Sequence, residues 1–134
     1  MRVVILHNAV EPDAPAAEAD VLAQVRAVGE ALDQLGHEAV ALPCTLNLAE
    51  ARARLEGMAP DVVFNLVESL GGTDRLHYFA AGLLDALGLP YTGCPTAALF
   101  LAGDKLLAKR WLRQAGIPTP DWVTGDQLSP SPLG

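Results

Sequence analysis

Apolar positions in this chain fall into two patterns, short unbroken runs and longer stripes at helical spacing. Val3–Leu6 is a continuous β-branched and aliphatic run, and Asp61-Val-Val-Phe-Asn65 is another, entered through Pro60. Neither alternates with period two, which is the pattern of strands covered on both faces. Val21, Leu22, Val25, Val28, Leu32 and Leu35 recur at steps of three and four, which predicts a helix over 18–35 with one apolar stripe. Glu18 and Asp20 suit its positive end, and Gly36 supplies a left-handed stop. Between the first strand and this helix, residues 8–16 hold Pro12 and Pro15 and read as a loop.

The same reasoning continues along the chain. Glu38–Leu42 predicts a short strand ended by Pro43. Leu48, Ala51 and Leu55 face inward on a helix over 46–55, with Asn47 a candidate cap and Gly57 near its end. A polar, glycine-bearing loop spans 68–74, and Phe79, Leu83, Leu84 and Leu87 stripe a third helix closed by Gly88. Residues 89–93 form a brief extended piece and 96–102 a short helix. Asp104 caps a last helix that runs to Ala115 and stops at Gly116, Ile117 and Pro118. Strands alternating with helices predict an α/β fold, three-layered and Rossmann-like, with a mostly parallel sheet and helices on both faces.

Composition narrows the partners. The 134 residues are 51% hydrophobic, enough apolar surface to offset the chain entropy of one domain. Sixteen acidic against nine basic side chains give a net charge of −7, which repels nucleic acid and disfavours a membrane surface. The apolar start at Met1–His7 is too short for a signal core, and a cytoplasmic location is expected. Cys44 and Cys94 stand fifty residues apart with no CxxC, so two buried thiols in a reducing compartment are expected. Residues 121–134 include Ser129-Pro-Ser-Pro132, and little order is expected beyond Trp122-Val123.

Open parallel sheets bind ligands at the carboxyl ends of their strands. Polar residues gather at those ends: His7, Asn8, Glu11, Asn65, Glu68, Ser69, Thr73, Asp74 and Arg75. His7-Asn-Ala-Val10 has no glycine, so a dinucleotide fingerprint is absent, and Gly103-Asp-Lys-Leu106 lacks Walker A spacing. Gly71-Gly72 reads either as an anion-approaching loop or as a plain turn. Lys105, Lys109 and Arg113 share one helix face, either solvated or, through Lys105, phosphate-binding. His7, His37 and His77 lack ligand spacing, and neither Ser69 nor Cys94 has a nucleophile's context.

Several segments together resemble the N-terminal part of D-alanine–D-alanine ligase and its ATP-grasp relatives. They are Asp61-Val-Val-Phe-Asn-Leu-Val-Glu68, Gly71-Gly-Thr-Asp74, Leu83-Leu-Asp-Ala-Leu-Gly-Leu-Pro-Tyr-Thr-Gly93, Asp104-Lys105 and Ala115-Gly-Ile-Pro-Thr-Pro120. The resemblance implies a Rossmann-like pre-ATP-grasp domain at 1–103, a helix and linker at 104–122, and a disordered tail at 123–134. It further implies ATP and Mg2+ in the complete enzyme, attack of a carboxylate on the γ-phosphate, and capture of the acyl phosphate by an amine. Lys105 matches the lysine that approaches the nucleotide phosphates. Glu18, or alternatively Glu11, matches the early glutamate that holds a substrate amino group.

The sequence also departs from that family. Where the ligases carry histidine-glycine after the third strand, this chain has Glu68-Ser69. Where they carry glycine-glutamate-aspartate-glycine, it has Gly72-Thr-Asp-Arg75. Glu68 and Arg75 thus join the expected substrate side, with Arg75 pairing either a substrate carboxylate or Glu68. The substrate stays open between D-alanine and another amino acid or peptide. The expected partners are that substrate, an ATP-grasp portion missing from or encoded apart from this chain, and, as an option, a second copy. Alone, the chain is expected to be inactive as a ligase. A stand-alone small-molecule binding module and a non-functional remnant are the alternatives.

Overall fold

The computed structural model describes residues 1–10 and 16–124. Its elements are β1 (Arg2–Asn8), α1 (Ala16–Gln34), β2 (Glu38–Cys44), α2 (Leu48–Met58), β3 (Val62–Leu66), α3 (Tyr78–Leu87), α4 (Thr96–Ala102) and α5 (Lys105–Gln114), with a single 3-10 turn at Asp74–Leu76. The strands form a parallel sheet in the order β2-β1-β3. Val3 stands opposite both Ala39 and Val62, and His7 opposite both Pro43 and Leu66. The extended piece at 89–93 adds a single parallel bridge, Val63 to Tyr91, beside β3.

β1 lies centrally, and every residue from Val3 to Asn8 is buried. Its alternate side chains serve different layers. Val4 and Leu6 join Leu42, Leu55, Val63, Leu70 and Leu84 in one core cluster, which also takes in Ala51 of α2 and Ala80 of α3. Ile5 points the other way, and its Cδ1 lies 3.8 Å from where a Cβ on Gly29 of α1 would sit. Helices therefore cover both faces, as an unbroken apolar strand requires. The three-layer α/β architecture expected from the sequence is the one observed.

Local details differ where packing outweighs pattern. β2 continues through Pro43 to Cys44. It is an edge strand, so the missing N–H of proline removes no ladder bond that the sheet needs. α2 starts at Leu48, because Asn47 outside it accepts the Glu50 amide on its side chain. It runs through Gly57 and ends at Ala59, a left-handed residue (φ 45°) followed by Pro60. Leu22, Leu35 and Phe79 belong to the apolar stripes but are exposed. Leu35 lies past the end of α1, and the small Ala80 and Ala81 give α3 its close approach to the core. Cys44 is buried as expected, whereas Cys94 is exposed, since it sits in the loop leading into α4.

Candidate functional site

The carboxyl ends of β1, β2 and β3 meet at one edge and frame a cavity of about 330 Å³. Asn8 closes β1 there, Cys44 and Thr45 close β2, and Ser69 to Gly72 form the far wall. The buried Asn8 side chain holds that wall in place, its Oδ1 accepting the Glu68 amide at 3.5 Å. His7 Nδ1 lies 2.9 Å from the Asn8 carbonyl. A carbonyl only accepts, so Nδ1 carries the proton in that contact. Cys44 also faces the cavity, but burial pushes its thiol up to about 11, so it is protonated at neutral pH and a poor nucleophile.

The glycine loop is a tight turn. Leu70 and Thr73 exchange amide–carbonyl bonds of 3.0 and 3.3 Å around Gly71 (φ 60°) and Gly72 (φ 74°). Two successive positive φ values are the signature of a type I′ turn. A Cβ on Gly71 would lie 2.4 Å from Leu46 Cδ1, so this turn packs closely on the loop after β2. Of the two readings open for Gly71-Gly72, the local geometry is that of a turn, and the turn forms one wall of the cavity.

Beyond the turn, Thr73 Oγ1 accepts the Arg75 amide at 3.2 Å and starts the 3-10 turn. Arg75 reaches across to α5, where its Nη2 lies 3.1 Å from Asp104 Oδ2. It is therefore not paired with Glu68. That option fails because the 3-10 turn carries Arg75 toward the α5 end, while Glu68 sits at the β1 side, against Asn8. Asp104 Oδ1 accepts the amides of Leu106 and Leu107 at 2.9 and 3.0 Å, so the expected cap is present. The Leu107 amide foremost, with the Leu106 amide and Arg75 beside it, holds the Asp104 carboxyl below its usual range. Lys105 is exposed and shares a second cavity, of about 310 Å³, with Asp74, Arg75 and Asp104.

The basic face of α5 is thus divided. Lys109 Nζ donates to the Pro120 carbonyl at 2.8 Å, and Arg113 pairs with Asp121 at 2.7 Å while its guanidinium lies 4.3 Å from the Trp122 ring centroid. These two cations hold the segment that follows the helix, which leaves Lys105 facing open space. Glu68 is exposed and precedes Ser69 of the cavity wall in the chain. Glu18 lies within α1, its side chain outside the described residues, and Glu11 lies outside them altogether. Among the described residues no group of three or more His, Cys, Asp or Glu is placed to hold a metal, and no helix is long and apolar enough to cross a membrane.

Two features escaped sequence reasoning. The double role of Asp104 needed the fold, since Arg75 is 29 residues away. Asp85 accepts the hydroxyls of Tyr91 and Thr96, so the motif tyrosine pins the short extended piece to α3. The Thr96 hydroxyl foremost, then that of Tyr91, holds the Asp85 carboxyl below its usual range. An acid six residues before a tyrosine was the available signal, but without the chain reversal at Gly88 it pointed nowhere.

No protein-family model matches the chain. Individual relatives do. A D-alanine–D-alanine ligase of Moorella thermoacetica is 44% identical over 110 residues, which cover 81% of this chain and 34% of that protein. The chain is homologous to the D-alanine–D-alanine ligases. A D-alanine–D-alanine ligase of Aquifex aeolicus is 38% identical over 108 residues, 78% of this chain and 35% of its own length. One from Paramagnetospirillum magneticum is 36% identical over 121 residues, 87% of this chain and 39% of its own. The chain thus spans about a third of the length of these ligases, consistent with an N-terminal portion.

Proposed function

We propose that this chain is the substrate-side α/β portion of an ATP-dependent ligase that joins a carboxylate to the amine of an amino acid or peptide. The homology to D-alanine–D-alanine ligases over four-fifths of the chain carries this reading. The strand-end cavity would receive the substrate, with Glu68 at its edge and Glu18 or Glu11 as the acid that holds an amino group. Lys105 would meet the nucleotide phosphates, since its ammonium is exposed at the start of α5 beside a cavity. Magnesium would be held by the rest of the ligase, as the resemblance implies.

In such a ligase ATP activates the carboxylate: its oxygen bonds to the γ-phosphorus as the bond to ADP breaks. The amine then forms the C–N bond as phosphate leaves and the nitrogen's proton passes to a base. This chain's share is alignment and charge. An ammonium beside the transferring phosphoryl group offsets charge that builds in the transition state. A carboxylate at the cavity edge would hold a substrate amino group. The 1–103 unit and the 104–122 helix and linker would act as one shoulder of the site, and the isolated chain would show no ligase turnover. Glu68, where the resembled ligases have a histidine, would place a negative charge at the substrate side, and the substrate stays open between D-alanine and another amino acid or peptide.

The test is a chimera of residues 1–122 with the remaining two-thirds of the Moorella thermoacetica ligase. Phosphate release that needs both ATP and an amino acid or dipeptide is the expected result, with Lys105→Met raising the KM for ATP. A folded chimera that hydrolyses no ATP with any such substrate would overturn the proposal. Tight binding of an amino acid to the 134-residue chain alone would instead favour a stand-alone binding module.

A further inference from the structure

We propose that Arg75 is a positioning residue for Lys105, tying the glycine turn beside the strand-end cavity to the first turn of α5 through Asp104. The proposal rests on the reading of Lys105 as the phosphate contact. The two oxygens of Asp104 do separate work. Oδ1 accepts the Leu106 and Leu107 amides and so fixes where α5 begins, while Oδ2 accepts Arg75 Nη2 at 3.1 Å. Arg75 is anchored at its other end, because its own amide donates to Thr73 Oγ1 and Thr73 closes the Gly71–Gly72 turn. A continuous run of polar contacts therefore links the cavity wall to the residue before Lys105.

Charge supports the same role. Arg75 and Lys105 line one cavity together with two carboxylates, Asp74 and Asp104. Asp104 is the one that pairs with Arg75, which offsets the repulsion between two cations on one cavity wall. The planar guanidinium, fixed in direction, suits a carboxylate better than an ammonium does. An exposed pair of this kind adds little to global stability. Its consequence is geometric, in where the Lys105 ammonium stands relative to the substrate cavity.

Two measurements decide it. In the 134-residue chain, NMR titration should show the Asp104 carboxyl of Arg75→Met protonating at higher pH than in the unaltered chain, with moved amide signals at Lys105, Leu106 and Leu107. Arg75→Lys should restore part of both shifts. Identical Asp104 titration and unmoved Lys105 signals in Arg75→Met would overturn the proposal. In the chimera, Arg75→Met should raise the KM for ATP about two- to fivefold, the range of an exposed ion pair, with kcat nearly unchanged. Asp104→Asn, which keeps an oxygen for the cap, should do the same, and the double variant should lose no more than either single one. Unchanged KM, or losses that add, would overturn it as well. A chimera with no turnover at all counts against the ligase reading, and the titration then still decides Arg75.

Discussion

The sheet with α2 and α3 and the segment from α4 to Thr124 are held together by different forces. In the first, β1 is buried from Val3 onward, and Leu6, Leu42, Leu55 and Leu84 expose nothing to solvent. In the second, neither α4 nor α5 has a buried residue, and Trp111, Leu112 and Ile117 are exposed. The second part rests on the Tyr78–Phe100 ring contact between α3 and α4 and on a set of polar ties: the Asp104 cap, Arg75 to Asp104, Lys109 to Pro120, and Arg113 to Asp121 and Trp122. The core supplies cooperativity, while the α5 region supplies geometry.

Truncating one leucine in each part separates the two most sharply. Leu84→Ala should destabilise by about 2–5 kcal/mol through lost burial and the cavity left behind. Leu112→Ala, at a side chain 38% exposed, should cost under about 1 kcal/mol. Urea midpoints of the two variants check this, and equal losses would mean that α5 is packed as firmly as the core.

Backbone changes give smaller effects of opposite sign. Gly71→Ala forces a side chain into the left-handed region against Leu46 and should cost about 1–3 kcal/mol. Gly57→Ala, inside α2 with nothing within 4 Å of the new Cβ, should stabilise by about 0.4–1 kcal/mol. Paired thermal melts read the difference directly. In the α5 region, Asp104→Ala should loosen the first turn of the helix, whereas Asp104→Asn should loosen it much less because asparagine still caps. Hydrogen exchange at Leu106 and Leu107 locates that loosening.

The finest distinction is by titration. At neutral pH a thiol reagent should label exposed Cys94 quickly and leave Cys44 unreacted until the chain unfolds. The folded Cys44 thiol ionises near 11 and the unfolded one near 9.0, so its contribution is whole below 9.0 and is lost as pH rises toward 11. Asp85 and Asp104 act oppositely. Their folded carboxyls ionise below 3.8, so their contribution is present above that value and fades as pH falls through the lower folded one. Melting temperatures of Cys44→Ala and Asp85→Asn across both pH ranges separate the two trends.

Hydrophobic pattern determined the fold class and the element order, and a capping aspartate the start of α5, because strand runs, helical stripes and capping residues act over a few neighbours. Val3–Leu6 announced a central strand, and Asp104 announced the start of α5 in the chain's own local chemistry. Only the tertiary structure decided that Pro43 stays in an edge strand, that Leu22 and Phe79 face solvent, and that Arg75 meets Asp104 rather than Glu68. Those outcomes depend on which surfaces the crossovers bring together. A side chain's partner 29 residues away is fixed by packing direction, which no local spacing records.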